Sequence, residues 1–249
     1  MRILEPGAVI TDPLAPYAQV DRVRTGGGCW TMANMVGGLD GAAAIGGRVA
    51  ELSTAPDAAL FRLMRGLADV LLVGAETVRR EGYRSIRLPG KRAATREAAG
   101  RIRTPRLAVV TRSLNLDWSR EAFAAAPPES RPLVITCKAA DPRRIERTHD
   151  VADVVVAGED RVDLDQALLS LWELGYRVVL CEGGPTLLGE LVAADRLDEL
   201  CLTIAPLIGG DPLPVCVSPP DAPVRPFLLR HVLQDGGTLF LRYERGDHG

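Results

Sequence analysis

Cysteine pairs at metal-binding or redox spacing are missing from this chain: Cys29, Cys137, Cys181, Cys201 and Cys216 form no C-x-x-C. Several sit in apolar, strand-like runs where a reduced thiol packs as a small hydrophobe, and the set fits a reducing compartment. Histidine is scarce. His149, His231 and His248 have no metal-ligand spacing, and the H-x-E with P-C-x-x-C pattern of a zinc deaminase is absent, so no metal site is expected. A basic excess is lacking as well: 30 Lys and Arg against 32 Asp and Glu give a net charge of −2, which disfavours a nucleic-acid partner. No apolar run approaches the roughly 18 residues of a membrane span. Glu5, Pro6, Asp12 and Pro13 interrupt the start of the chain before signal-peptide length is reached, so a soluble, cytoplasmic protein with no membrane contact is expected.

What is present is an alternation of short apolar runs and helical patterns. Residues 1–28 carry prolines and end in Gly26-Gly27-Gly28; they read as an irregular extension packed as an arm, ahead of a single domain over 29–245. Strand-length runs stand at 30–36, 70–73, 107–110, 133–136, 151–156 and 178–181, and continuous apolar runs of this kind suit strands buried on both faces. Ser53 or Thr54 caps a helix with Pro56 and Asp57 in its first turn, and Leu60, Leu63, Met64 and Leu67 form its inward stripe. Asp163 caps another, with Leu164, Ala167, Leu168, Leu171 and Leu174 inward and Gly175 closing it. The arginine-dense stretch 79–106 reads mostly as a solvated loop. A proline-rich tail at 212–226 precedes a last strand at 238–243. Strands alternating with helices, then late strands without them, argue an α/β fold with a mostly parallel sheet and an antiparallel C-terminal edge.

Three strand-to-turn junctions carry the chemistry. In the first, Val178-Val179-Leu180-Cys181 stops at Glu182, two glycines follow, and Pro185 opens a helix. Glycines let backbone N–H groups approach a ligand closely, and a helix start adds partial positive charge, a combination suited to phosphate or pyrophosphate. The second is Gly74-Ala75-Glu76-Thr77-Val78 after an apolar strand. The third is Thr111-Arg112-Ser113, a cation and two hydroxyls of the kind that reads the 2′-phosphate of NADP, where an NAD site ends in Asp or Glu. Ligands lie across the carboxyl ends of parallel strands, so the three junctions are expected to converge on one crevice.

Thr31 to Gly41, Leu67 to Gly82, Leu107 to Leu114 and Leu180 to Gly210 resemble the reductase domain of the bifunctional riboflavin-biosynthesis deaminase-reductase. The most specific part is Cys181-Glu182-Gly183-Gly184-Pro185-Thr186-Leu187, followed by Leu197-Asp198-Glu199-Leu200 and Ile204-Ala205-Pro206 ahead of Gly209-Gly210. That resemblance, over about residues 30–210, implies a dihydrofolate-reductase-like three-layer α/β/α fold. The deaminase half has no counterpart here, so the chain looks like a stand-alone reductase, similar to the pyrimidine reductase-like proteins of actinobacteria.

The resemblance implies NADP(H) as cofactor, held by Gly183, Gly184, Pro185, Thr186, Leu187, Leu188, Gly189 and Glu190, with Gly74 and Thr77 at the second junction, Thr111, Arg112 and Ser113 at the third, and Gly37 beside the nicotinamide. It implies hydride transfer to the ribose carbon of a phosphoribosylamino-pyrimidine, of the 5-amino-6-(5-phosphoribosylamino)uracil type. Asn34, Arg65 and Glu182 would bind this substrate. Asp40 and Glu182 are the two candidates for the proton donor, because a carboxylic acid buried beside a cofactor can hold a proton; Asp40 beside Gly41 equally suits a turn residue bonding its own backbone.

Three departures concern the substrate side: Asn34 stands where the family carries lysine, Ala50-Glu51-Leu52 where it carries Ser-x-Trp, and Glu81-Gly82-Tyr83 where it carries Asp-Asp-Pro. They keep a pterin substrate such as dihydrofolate open, and a non-catalytic NADP-binding regulator as well. A homodimer is implied, with late strands around 200–204 and 239–241 as the pairing edge.

Overall fold

The structure, a computed structural model, describes residue 7 and residues 9–246, so His248 and the start of the 1–28 extension lie outside the described residues. In chain order the elements are α1 (Ala15–Ala18), β1 (Trp30–Gly37), α2 (Ala55–Met64), β2 (Val70–Gly74), α3 (Ala75–Arg80), α4 (Gly90–Ala98), β3 (Arg106–Val110), α5 (Glu121–Ala124), β4 (Leu133–Thr136), α6 (Pro142–Thr148), β5 (Asp153–Val156), α7 (Leu164–Glu173), β6 (Val178–Cys181), α8 (Pro185–Ala193), β7 (Glu199–Ile204), β8 (Phe227–Asp235) and β9 (Thr238–Arg245).

They build one nine-stranded sheet in the order β5-β4-β3-β2-β6-β1-β7-β9-β8. Pairing is parallel from β5 through β7, and β9 and β8 run antiparallel at the end. The central strands are apolar on both faces because helices cover both. On one face Met32, Leu71, Val73 and Leu180 pack with Leu60 and Met64 of α2, Val78 of α3 and Phe123 of α5. On the other, Ala33, Leu72, Val179 and Cys181 meet Leu168 and Leu171 of α7 and Leu187, Leu188 and Leu191 of α8. This is the three-layer α/β/α arrangement.

Helix ends follow local chemistry. Thr54 Oγ1 accepts from the Asp57 N–H at 3.4 Å to start α2. Asp163 accepts from the N–H groups of Asp165 and Gln166 at the start of α7. Gly175, at φ +95°, lets Tyr176 N–H turn back to the Leu171 carbonyl and end that helix.

Two segments differ from their sequence reading. The stretch expected as a solvated loop contains α4, and its Arg96 is buried, donating to the carbonyls of Gly66, Ala68 and Ile102. Burial and the neighbouring Arg101 push its guanidinium down to about 10. Local charge density signals a surface, but unpaired carbonyls at the end of the preceding turn draw one arginine inward. The second difference is β8, hidden behind the proline-rich tail. It pairs with β9 through Gly236 and Gly237, both at positive φ, the backbone that a two-residue hairpin needs. As a result the 200–204 strand lies inside the sheet between β1 and β9, and β8 is the open edge.

The arm before β1 covers the amino ends of the strands. Leu14 and Tyr17 are buried, and Arg22 and Arg24 reach Glu199 and Asp198. The Tyr17 ring meets His231 edge-on at 4.7 Å, and the buried His231 Nε2 has no hydrogen-bond partner among the described residues. Burial, with Arg242 beside it, lowers the His231 imidazole below its ordinary value. The unfolded chain therefore takes up more protons below about pH 6.5, so this contribution to stability is present above that pH and is lost as pH falls from there through the lower folded value. Thermal melts from pH 7.5 to pH 5.5 are expected to show a decline that His231→Gln reduces; an equal decline in the variant refutes the assignment.

Candidate active site

The register sets the site. β3, β2, β6 and β1 are consecutive parallel neighbours, so the ends at Val110, Gly74, Cys181 and Gly37 open on one edge of the sheet. Gly74 N–H donates to the Gly183 carbonyl at 3.0 Å and Glu182 N–H to the Leu72 carbonyl at 3.0 Å, which binds the first two junctions together. Gly183, at φ +120°, is a position for glycine alone, and the Gly183–Gly184 peptide is cis. A Cβ on Gly184 would stand 3.0 Å from Thr77 Oγ1. Pro185 occupies the first turn of α8, which starts at Gly184 with no side-chain cap.

At the third junction Thr111 is buried and its Oγ1 accepts from Leu114 N–H at 3.0 Å, so its hydroxyl shapes the turn. Arg112 and Ser113 are exposed and line a cleft of about 460 Å³ with Ala139, Ala140, Asp141 and Arg144. Arg144 Nη1 donates to the Ser113 carbonyl at 2.8 Å. Arg144 was not among the residues expected from sequence; the signal for it was Asp141-Pro142, a cap and first-turn proline that start α6 soon after β4 and bring its first turn beside the β3 tip.

Not every expected cofactor residue reaches this edge. Thr186 is exposed there, but the side chains of Leu187 and Leu188 turn into the core against β1 and β6. Gly189 is needed for packing, because a Cβ would lie 1.9 Å from the Val217 carbonyl oxygen. Glu190 lines a second cleft with residues 158–166 and Ala194. The absent side chain of Gly37 makes room for Val215, whose Cγ2 would be 2.6 Å from a Cβ.

The substrate-side residues gather on the face that carries α2. Ala33 pairs with Cys181, so Asn34 and Glu182 are adjacent one position further on, in phase with Met32 and Leu180. The Glu182 carboxylate accepts from Arg65 Nε at 2.7 Å, Arg65 Nη2 at 2.8 Å and the Tyr83 hydroxyl at 2.8 Å, and its side chain has 0 % exposure. Burial alone would lower the Arg65 guanidinium, but the Glu182 charge and hydrogen bonds hold it above its usual range. Burial and the same carboxylate raise the Tyr83 hydroxyl, which stays protonated. Leu52 fills a small core with Val36 and Ala205, and Glu81 accepts from Val49 N–H at 3.4 Å.

Asp40 stands apart from this group. It is exposed, and its carboxylate accepts from the N–H groups of Gly209 at 2.7 Å, Gly210 at 3.1 Å and Ala42 at 3.1 Å. Those backbone donors hold it below the usual carboxylate range, which is unsuited to donating a proton and suited to joining two loops.

A parallel sheet whose tips present glycines, a helix start and guanidinium groups along one edge sets a ligand crevice at the carboxyl ends of its strands in a three-layer α/β/α fold. The chain belongs to the RibD C-terminal domain family, whose sequence profile matches residues 29–238. It is 27% identical over 184 residues, 70% of this chain and 83% of the relative, to the 2,5-diamino-6-ribosylamino-4(3H)-pyrimidinone 5′-phosphate reductase of Archaeoglobus fulgidus. The protein of the same name from Methanothermobacter thermautotrophicus is 28% identical over 177 residues, 69% and 75% of the two chains. Among solved structures, a pyrimidine reductase-like protein of Corynebacterium diphtheriae superposes with a TM-score of 0.80 at 28% identity, covering 96% of each chain.

Proposed function

We propose that this protein is an NADPH-dependent reductase of a phosphoribosylamino-pyrimidine, in the riboflavin-biosynthesis reaction class. The observation that carries the reading is the alignment of the β3, β2, β6 and β1 tips on one edge within a family of named reductases. The donor chemistry fits a dinucleotide. Gly183, Gly184 and the uncapped start of α8 would take the pyrophosphate with Thr77 beside them, and Arg112 with Arg144 would take the 2′-phosphate. When bound, reduced nicotinamide supplies the hydride.

The chain's own groups bind and orient. Arg65 offers a guanidinium whose Cζ lies 4.5 Å from the Phe61 ring centroid and 5.7 Å from that of Tyr83, a fixed cation for the anionic end of the substrate. Asn34, buried beside Glu182 on the neighbouring strand, supplies amide donor and acceptor groups for a pyrimidine edge. Glu182 acts on that substrate through Arg65 in this arrangement, and Asp40 joins the loop after β1 to the loop at Gly209 and Gly210.

The test is turnover of NADPH with the diamino-pyrimidinone phosphate, its uracil counterpart and dihydrofolate, followed by the loss of reduced nicotinamide absorbance. Turnover of either pyrimidine above dihydrofolate is expected. Faster oxidation with dihydrofolate assigns a pterin substrate instead, and tight NADPH binding without turnover on any of the three assigns a regulator. A homodimer paired through β8 belongs to the same reading, supported by an open strand edge with Leu228 and Leu229 about half exposed.

A further inference from the structure

We propose that Tyr83 is a positioning residue for substrate binding, its hydroxyl holding Glu182 so that Arg65 keeps one orientation at the strand tips. The inference rests on the reading that Arg65 receives the anionic end of the substrate. Its starting point is a departure in this chain, Glu81-Gly82-Tyr83. Gly82, at φ +58°, redirects the chain after α3, and the Tyr83 hydroxyl comes within 2.8 Å of Glu182 Oε2.

The need for a third partner follows from the geometry of the pair. The two parallel hydrogen bonds from Arg65 Nε and Nη2 fix the guanidinium relative to the carboxylate. They leave the two groups free to swing together about the Glu182 side-chain torsions. The Tyr83 hydroxyl, anchored on a separate segment, removes that freedom, and its ring covers the guanidinium together with Phe61. Arg65 Nη1 has no hydrogen-bond partner among the described residues, and the side chain keeps 18 % exposure. The inner edge of the guanidinium is therefore occupied and its outer edge is presented to a ligand. Preorganising a cation in this way lowers the ordering cost of binding.

Steady-state kinetics on Tyr83→Phe test the role. A rise in KM for the pyrimidine phosphate of about tenfold is expected, the scale of one hydrogen bond to a charged group, against a fall in kcat below about twofold and an unchanged NADPH affinity. In a Glu182→Gln background the same substitution is expected to shift KM by less than about twofold, because the hydroxyl acts through the carboxylate. An unchanged KM in the single variant, or a full tenfold effect surviving in the double variant, overturns the proposal. Should the wild-type protein turn over none of the substrates, the functional reading fails while this inference is still decided by the Arg65 Nε–H signal in a ¹H–¹⁵N spectrum. Slow exchange in the wild type that becomes fast in Tyr83→Phe supports it; identical exchange refutes it.

Discussion

Replacing Arg112 with alanine is expected to cut the preference for NADPH over NADH by about tenfold to a hundredfold, the range of one charge-assisted hydrogen bond. The loss should fall on NADPH alone, with NADH affinity moving by less than about threefold. Arg112 lies at the tip of β3 in an open cleft, and among the described residues the charged groups lining that cleft with it are Arg144 and Asp141. Arg144 is steered by its bond to the Ser113 carbonyl and stands 3.9 Å from Asp141, so it partly compensates, and the double replacement should exceed the single one. Dissociation constants for both nucleotides, read from intrinsic fluorescence, check this. An equal fall for NADPH and NADH would show that the cleft does not read the 2′-phosphate.

The second large effect concerns stability at the opposite edge of the sheet. Glu199, with 0 % side-chain exposure, accepts from Arg22 Nε and Nη2 at 2.9 Å each, Arg242 Nε at 2.8 Å and Trp30 Nε1 at 3.1 Å. Burial alone would raise its carboxyl, but Arg22 and Arg242 outweigh burial and hold it below its ordinary value. Glu199→Ala leaves the buried Arg22 guanidinium without its anion and Arg242 with Glu244 alone, an expected cost of about 3–5 kcal/mol. In a chain of this size that corresponds to a drop in Tm of roughly 6–20 °C. Because the folded carboxyl is held low, the wild-type advantage is present above about pH 4.3 and fades as pH falls through the folded value. Urea unfolding at neutral pH measures the difference, and a loss below about 1 kcal/mol would mean that solvent reaches the cluster.

β2, β3, β4 and β6 were legible because each is a run of four to five residues ending at or just before a glycine, a carboxylate or a hydroxyl. Tertiary demand explains the misses. Arg96 looks like a surface residue in sequence, and the carbonyls of Gly66, Ala68 and Ile102 give it a reason to be inside. β8 carries exposed leucines, so its pattern resembles a loop until the Gly236-Gly237 turn is read as a hairpin. Glu182 was visible as a charge with no structural need, yet its engagement by Arg65 and Tyr83 joins residues 117 and 99 positions away. Asp40 was readable either way, and the backbone donors of Gly209 and Gly210 settle which loop it serves.

The proline-rich tail ends up as a crossbar. Leu213 accepts from Ala43 N–H, Val215 N–H donates to the Gly41 carbonyl, and Val217 N–H donates to that of Pro185, so one extended piece spans from the loop after β1 to the start of α8. The loop that Asp40 braces and the helix proposed to meet the pyrophosphate are therefore tied by backbone hydrogen bonds to the same strip of chain.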